Sequence, residues 1–328
     1  MALTRSPENP IITRADIPDV PPEIVDATSV FNPGAVLQEG RYLLMLRVQT
    51  RGRETFFMTA ESDDGARFEV APRIVPIRGI DRVDGTVYHS YDPRITKLGD
   101  TYYVMFAMDT DLGCRLGLAR STDFTSLEFI GMTGADDMRN GVLFPEKIGG
   151  QYARLDRPNR VRFESGVTSG DEIALSRSDD LIDWRPVAPV MRGRPHHWDE
   201  LIGPGPPPVK TREGWLLVYH GIATHLAGAC IYQAGVALLA LDDPSRVLAR
   251  SRDNILEPRE PYEMTGQVPN VVFPSGMIVE GYDEQGFADP DSRALVYYGA
   301  ADTSVGLATA TVGDLLAACS DRTARPLP

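Results

Sequence analysis

Five short, proline-marked segments stand out as places where this sequence could do chemistry: Phe31-Asn32-Pro33-Gly34-Ala35, Tyr91-Asp92-Pro93-Arg94, Arg139-Asn140-Gly141-Val142-Leu143-Phe144-Pro145, Gly203-Pro204-Gly205-Pro206-Pro207-Pro208 and Pro269-Asn270-Val271-Val272-Phe273-Pro274. Proline cannot donate to a β-ladder, so each segment marks a strand start or edge. A carboxyl so placed can move a proton, and an arginine fork can grip an oxyanion. Taken alone, Asp92 before a proline is equally a turn aspartate. Other chemistries find less support. His196-His197 with Asp199 offers metal-type side chains, but no third or fourth ligand follows at a metal-site spacing, so no metal is expected. The Gly203–Pro208 stretch lacks the lysine-serine or lysine-threonine pair of a phosphate loop, and its prolines remove the amides that would cradle phosphate. No Gly-x-Ser-x-Gly nucleophile elbow is present.

The elements around these segments read as strands. Arg41 to Val48 and Thr101 to Phe106 are short runs rich in β-branched and aromatic residues. Gly99-Asp100, Gly149-Gly150 and Glu213-Gly214 sit between paired runs as hairpin turns would. Helical character is expected only at Val312–Cys319 and Asp123–Leu127. A small-x-small strand recurs, often followed by Asp and an aromatic. Taking Ala60, Ala119, Ser176, Ala237 and Ala308 as equivalent gives spacings of 59, 57, 61 and 71 residues. Five such units, each with one proline-marked segment, predict an all-β, five-bladed β-propeller whose inner strands converge on one axial pocket. A β-sandwich would not predict five recurrences.

Composition bounds the partners. The 328 residues contain 42% hydrophobic and 24% charged residues, ordinary for a globular protein able to bury a core unaided. The formal net charge of −13 disfavours nucleic acid. Apolar stretches such as Ala234–Leu241 are too short to span a bilayer, and the first residues lack a signal-peptide run, so no membrane partner is expected. Three isolated cysteines, Cys114, Cys230 and Cys319, suit a reducing cytoplasm. Oligomeric state is not readable, which leaves a homo-oligomer open.

The segment Tyr91-Asp92-Pro93-Arg94-Ile95-Thr96, the stretch Gly141–Lys147 with Leu155-Asp156-Arg157-Pro158-Asn159, then Gly214–Gly221 and Tyr297–Thr303, together resemble glycoside hydrolase family 130, the five-bladed propellers of β-mannoside phosphorylases and β-mannosidases. The resemblance runs from about Asn9 to Leu316 and implies one propeller domain over 1–328 with short terminal extensions. It implies that Asp92 is the general acid, passing its proton through a mannose hydroxyl. It places Arg139, Asn140, Arg157 and His220 on phosphate, and Asn32, Arg47, Tyr91, Tyr232 and Asp302 on the mannose. The implied reaction is inverting phosphorolysis of a β-mannosyl-oligosaccharide to α-mannose 1-phosphate, with inorganic phosphate as co-substrate and no cofactor.

One position departs from the family. Where many of its phosphorylases carry a lysine or arginine before the Ile-Gly of the fourth unit, this chain has Leu201. His196, His197 or Lys210 could replace that contact. Alternatively, Leu201 marks an inverting β-mannosidase in which Glu200 activates water. A third reading is a sugar-binding propeller without catalysis.

Overall fold

The computed structural model describes residues 2–134, 137–162, 168–224 and 230–320. Among the described residues, the strands form five large, mainly antiparallel sheets that follow one another along the chain, and a two-stranded ribbon of Val161–Arg162 with Thr168–Ser169. Blade 1 comprises Ser29–Gln38, Arg41–Gln49, Thr55–Ser62 and Glu69–Ile74. Blade 2 comprises Val87–Leu98, Thr101–Thr110, Gly113–Ser121 and Leu127–Met132, with Ile77–Arg78 added in parallel at its outer edge. Blade 3 comprises Met138–Leu143, Tyr152–Pro158, Glu172–Ser178 and Arg185–Arg192. Blade 4 has an inner strand broken into Leu201–Pro204 and Val209–Thr211, then Gly214–Ala223, Ile231–Leu239 and Val247–Arg250. Blade 5 comprises Val272–Val279, Arg293–Ala300 and Ser304–Thr311, and its outer strand is Thr4–Arg5 from the other end of the sequence.

Each blade's first strand packs against the next blade, and blade 5 returns to blade 1, so the ring closes. The core lies between blades. In Arg41–Gln49, Leu43 and Met45 face blade 2, while Leu44, Leu46 and Val48 face blade 5. In Gly214–Ala223, Trp215, Leu217 and Tyr219 face blade 3, while Leu216 and Val218 face blade 5. A strand buried on both faces has no polar side, which is why these runs are apolar throughout. The five aligned small residues Ala60, Ala119, Ser176, Ala237 and Ala308 all fall on the third strand of their blades.

Two expectations about elements need correcting. Val312–Ser320 is a helix whose Val312, Leu315, Leu316 and Cys319 seal the core between blades 4 and 5, but Asp123–Leu127 is not helical. There the Ser121 hydroxyl accepts the Phe124 amide at 3.0 Å and the Asp123 carboxylate accepts the Thr125 amide at 2.9 Å. A side chain that captures nearby amides competes with helix formation. The same turn recurs at Ser62-Asp63-Asp64 and Ser178-Asp179-Asp180. Secondly, the proline-marked segments of blades 1 and 2 lie inside the inner strands, at bulges, rather than at their starts. Any extension beyond Ser320 lies outside the described residues.

Candidate active site

Backbone irregularity builds the site. In blades 1, 2 and 3 the inner strand slips register between Phe31 and Gly34, Tyr91 and Arg94, and Arg139 and Val142. Within each slip one residue takes the left-handed conformation: Asn32 (φ 48°), Asp92 (φ 55°) and Asn140 (φ 57°). Asn and Asp tolerate this region better than other side chains, and a bulge re-aims the side chain that it carries. Blade 5 adds Asp302 (φ 49°) in its hairpin. Blade 4 uses close approach instead: a Cβ on Gly203 would lie 2.5 Å from the His220 ring and 2.9 Å from Arg157 Cδ, so only glycine fits.

These side chains wall a cavity of about 260 Å³, lined by Asn32, Arg47, Tyr91, Asp92, Asp109, Arg139, Asn140, Arg157, Tyr232, Val268, Val271, Phe273 and Asp302. Its carboxylate side is contributed by blades 5, 1 and 2. Asp92 Oδ1 accepts from Asn32 Nδ2 and from Arg47 Nη1, both at 2.9 Å. Burial would raise the Asp92 pKa, but the charges of Arg47 and Arg94 and these hydrogen bonds outweigh it, so the carboxyl is held below its ordinary value. Asp302 differs. Burial pushes it up to about 6, with Arg47 pulling it down and Asp92 adding to the rise.

The cationic side is blade 3. Register pairs Arg139 directly with Arg157 across neighbouring strands. Like charges placed opposite one another are unfavourable unless an anion lies between them. Burial, opposed by Tyr232 but joined by the charge of Arg139, pushes the Arg157 pKa down. Arg157 Nη2 donates to Asn159 Oδ1 at 3.3 Å, and its Nη1 lies 3.4 Å from His220 Nε2. Arg139 has Asp109 at 3.8 Å, and Tyr91 Oη donates to that same carboxylate at 2.7 Å. Among the described residues, Arg139 Nε, Arg157 Nε and Asn140 Oδ1 are buried without a hydrogen-bond partner. Unpaired buried polar groups are costly, and an oxyanion would satisfy the two arginine donors, while the Asn140 oxygen would need a donor such as a phosphate hydroxyl.

Most site residues expected from the sequence meet here: Asp92, Arg139, Asn140, Arg157, Asn32, Arg47, Tyr91, Tyr232 and Asp302 all line the cavity. His220 does not. It sits fully buried behind the wall, 4.6 Å from the Phe273 ring, and burial together with Arg157 and Arg94 holds its pKa well below the ordinary value, so it is neutral. Glu200 also lies outside the lining, where its carboxylate accepts from the Thr224 hydroxyl. Leu201 is buried opposite Ile222. Its proposed substitutes are engaged or turned outward: His197 bonds Asp199 at 2.9 Å, Lys210 bonds Glu146 at 2.8 Å, and His196 is exposed. Asp156 does not neutralise Arg157, because strand alternation turns it to Arg154 at 2.6 Å. The residue that sequence reasoning passed over is Arg94, although it stands two places after Asp92. Asp109, Val268, Val271 and Phe273 were passed over too; their types carry no signal until the ring brings them together.

No group of three or more His, Cys, Asp or Glu side chains suited to a metal ion occurs among the described residues. No described helix is long and apolar enough to cross a membrane.

Comparison with known proteins identifies a family and agrees with the fold. The family 130 model, described as beta-1,4-mannooligosaccharide phosphorylase, matches residues 2–321. The beta-1,4-mannooligosaccharide phosphorylase of Ruminococcus albus is 31% identical over 96% of this chain and 90% of its own length. The 1,2-beta-oligomannan phosphorylase of a Thermoanaerobacter species is 32% identical over 88% of this chain and 92% of its own. The solved structure of a beta-1,2-mannobiose phosphorylase from Listeria innocua, in complex with beta-1,2-mannobiose, superposes with a TM-score of 0.82 at 28% identity, covering 98% of this chain and 99% of that one. The family model matches nearly the whole length that carries this five-bladed ring, and the chain belongs to glycoside hydrolase family 130.

Proposed function

We propose that this protein is an inverting β-mannoside phosphorylase, and the observation that carries the reading is the Arg139–Arg157 pair facing across one register position beside Asp92. Inorganic phosphate between the two forks satisfies their unpaired donors and removes their mutual repulsion. Tyr91, Asn32, Arg47, Tyr232 and Asp302 hold the mannose on the remaining walls. One phosphate oxygen attacks the anomeric carbon as the glycosidic C–O bond breaks. The leaving oxygen takes a proton that originates at Asp92 and passes through a mannose hydroxyl. When the nucleophile is HPO₄²⁻, the proton count closes internally: the phosphate's proton recharges Asp92 and the product is α-mannose 1-phosphate.

Electrostatics supports the same sequence of events. In the free site, Arg47 and Arg94 keep Asp92 ionised. A dianion placed against Arg139 and Arg157 offsets that positive field and raises the proton affinity of Asp92. The acid is thereby armed by the co-substrate. Hydrolysis by inversion needs a second carboxylate about 6.5–9.5 Å from the acid to activate water. Glu200, the residue considered for that role, stands off the cavity wall. We assign the activity to the cytoplasm on the isolated cysteines, with phosphate as co-substrate and no other cofactor.

The deciding experiment supplies β-1,2- and β-1,4-mannobiose with and without phosphate and follows sugar products by chromatography. Mannose 1-phosphate formed only when phosphate is present is the expected result. Free mannose released at the same rate without phosphate overturns the reading.

A further inference from the structure

Arg94 is a fully buried guanidinium whose charge acts on Asp92 but whose hydrogen bonds no role described so far employs, and it does not line the cavity. Its Nε donates to the Gly205 carbonyl of blade 4 at 2.8 Å, and its Nη1 donates to the Asp92 carbonyl of its own strand at 3.1 Å. Its Nη2 has no partner among the described residues, and its Cζ lies 5.6 Å from the centroid of the Phe273 ring of blade 5. One side chain therefore ties three blades together directly beneath the bulge that presents Asp92. The Gly205 end is crowded: a Cβ there would lie 2.6 Å from the Val218 carbonyl oxygen and 3.1 Å from that of Pro274. Blade 4 cannot move away from the guanidinium without disturbing its own second strand and blade 5.

From this geometry we infer that Arg94 is the positioning residue of the site, fixing the left-handed Asp92 peptide and coupling the acid of blade 2 to the phosphate cations of blade 3. The inference rests on the phosphorylase reading above. Arg94 feels Asp92 as its attractive partner and Arg157 as a repulsive one. The charged and titratable groups facing Asp92 are Arg47 from blade 1, Arg94 from its own strand and Asp302 from blade 5, while Arg157 and His220 adjoin Arg94 from blades 3 and 4. With the anion site empty, Arg94 and Arg47 share Asp92. A phosphate beside Arg157 draws on the same field, so the hold on Asp92 relaxes when the nucleophile arrives. Lysine cannot reproduce this arrangement, because one ammonium replaces a planar fork that meets two carbonyls at once.

The test compares Arg94→Met and Arg94→Lys with wild type, after wild type has been shown to need phosphate, so that failure of the phosphorylase reading is detected separately. Folding is checked by far-UV circular dichroism and thermal melting, and kcat with phosphate and mannoside both saturating, which reports the complex in which phosphate has raised the proton affinity of Asp92, is followed from pH 4 to pH 9. The basic limb reports loss of the acid proton. Removing a positive charge beside a carboxyl raises its pKa, so Arg94→Met should move the basic limb up by about one pH unit while kcat falls ~100-fold. Arg94→Lys keeps the charge, so its limb should stay within about 0.3 unit of wild type while kcat falls ~10-fold. A folded Arg94→Met with wild-type kcat and limb overturns the inference. So do equal losses in both variants with both limbs unmoved, which would mean a merely structural role. If Arg94→Met does not fold, Arg94→Lys decides alone: kcat within twofold of wild type, or a displaced limb, refutes the assignment.

Discussion

The two sides of the axial cavity solve opposite electrostatic problems with the same backbone device. On the side built by blades 5, 1 and 2, a carboxylate is surrounded by donors: Asp92 Oδ1 receives both Asn32 and Arg47. On the blade 3 side, cations face each other: Arg139 lies opposite Arg157, and the Nε of each is buried without a partner among the described residues. Asn32, Asp92 and Asn140 nevertheless occupy equivalent bulges with nearly the same φ. The scaffold is repeated and the chemistry is not. A repeated fold can thus hold an acid and an anion grip on the wall of one cavity, because each blade's bulge is free to carry a different side chain.

The largest effect should come from the carboxylate side. Asp92→Asn keeps the shape but removes the proton donor, and turnover should fall ~1,000-fold with phosphate saturating. A variant within tenfold of wild type would move the acid elsewhere. The cationic side is probed by Arg157→Met. A charge-assisted hydrogen bond contributes about 1.5–3 kcal/mol, so the KM for phosphate should rise ~10- to 100-fold while the KM for the mannoside changes less than threefold. Equal increases in both constants would dissolve the distinction between the two sides.

A subtler contrast lies within the carboxylate side. The pKa of Asp302 is raised to about 6 from 3.8, so the folded protein binds this proton more tightly than the unfolded chain does. Stability therefore rises as pH falls through 6 toward 4, and above that window the ionised buried carboxyl is a standing cost. Asp302→Asn should raise the melting temperature at pH 7.5, and the advantage should shrink toward pH 4.5. An offset constant across that range would show that Asp302 titrates normally. The smallest effect is expected at Glu200, which lies off the wall: Glu200→Gln should leave phosphorolysis within threefold. A loss of more than tenfold would bring this glutamate into the chemistry.

The ring and its repeat were legible because they rest on strand-length apolar runs buried on both faces, and such runs leave a plain mark in composition. Ala60, Ala119, Ser176, Ala237 and Ala308 mark equivalent strands despite spacings that vary by 14 residues. Asn32, Asp92 and Asn140 were legible as a set, but the bulges that aim them were not, since a register slip depends on the partner strand. The helix expected at Asp123–Leu127 failed for a local reason: Ser121 and Asp123 capture the amides that a helix would need. Arg94 escaped notice because a guanidinium that bonds a backbone carbonyl two blades away leaves no spacing signal. The inward position of His220 depends on Gly203 in a different strand, and only the assembled blade reveals it.

The seam of the ring bears on how the active protein is made. Blade 5 is completed by Thr4–Arg5, locked by Arg5 on Glu263 at 2.7 Å and by Asn9 Nδ2 on the Leu307 carbonyl, 298 residues away. The carboxylate side straddles that seam, with Gly299 of blade 5 packed so tightly on Asn32 of blade 1 that a Cβ would lie 1.9 Å from the amide oxygen. During synthesis, Asn32, Arg47 and Asp92 emerge long before the hairpin bearing Asp302. The nascent chain accordingly holds a sugar site with one wall missing until the last blade is translated and the ring shuts. Contacts of such sequence separation form slowly, so gain of activity should report ring closure itself, trailing the appearance of β-structure.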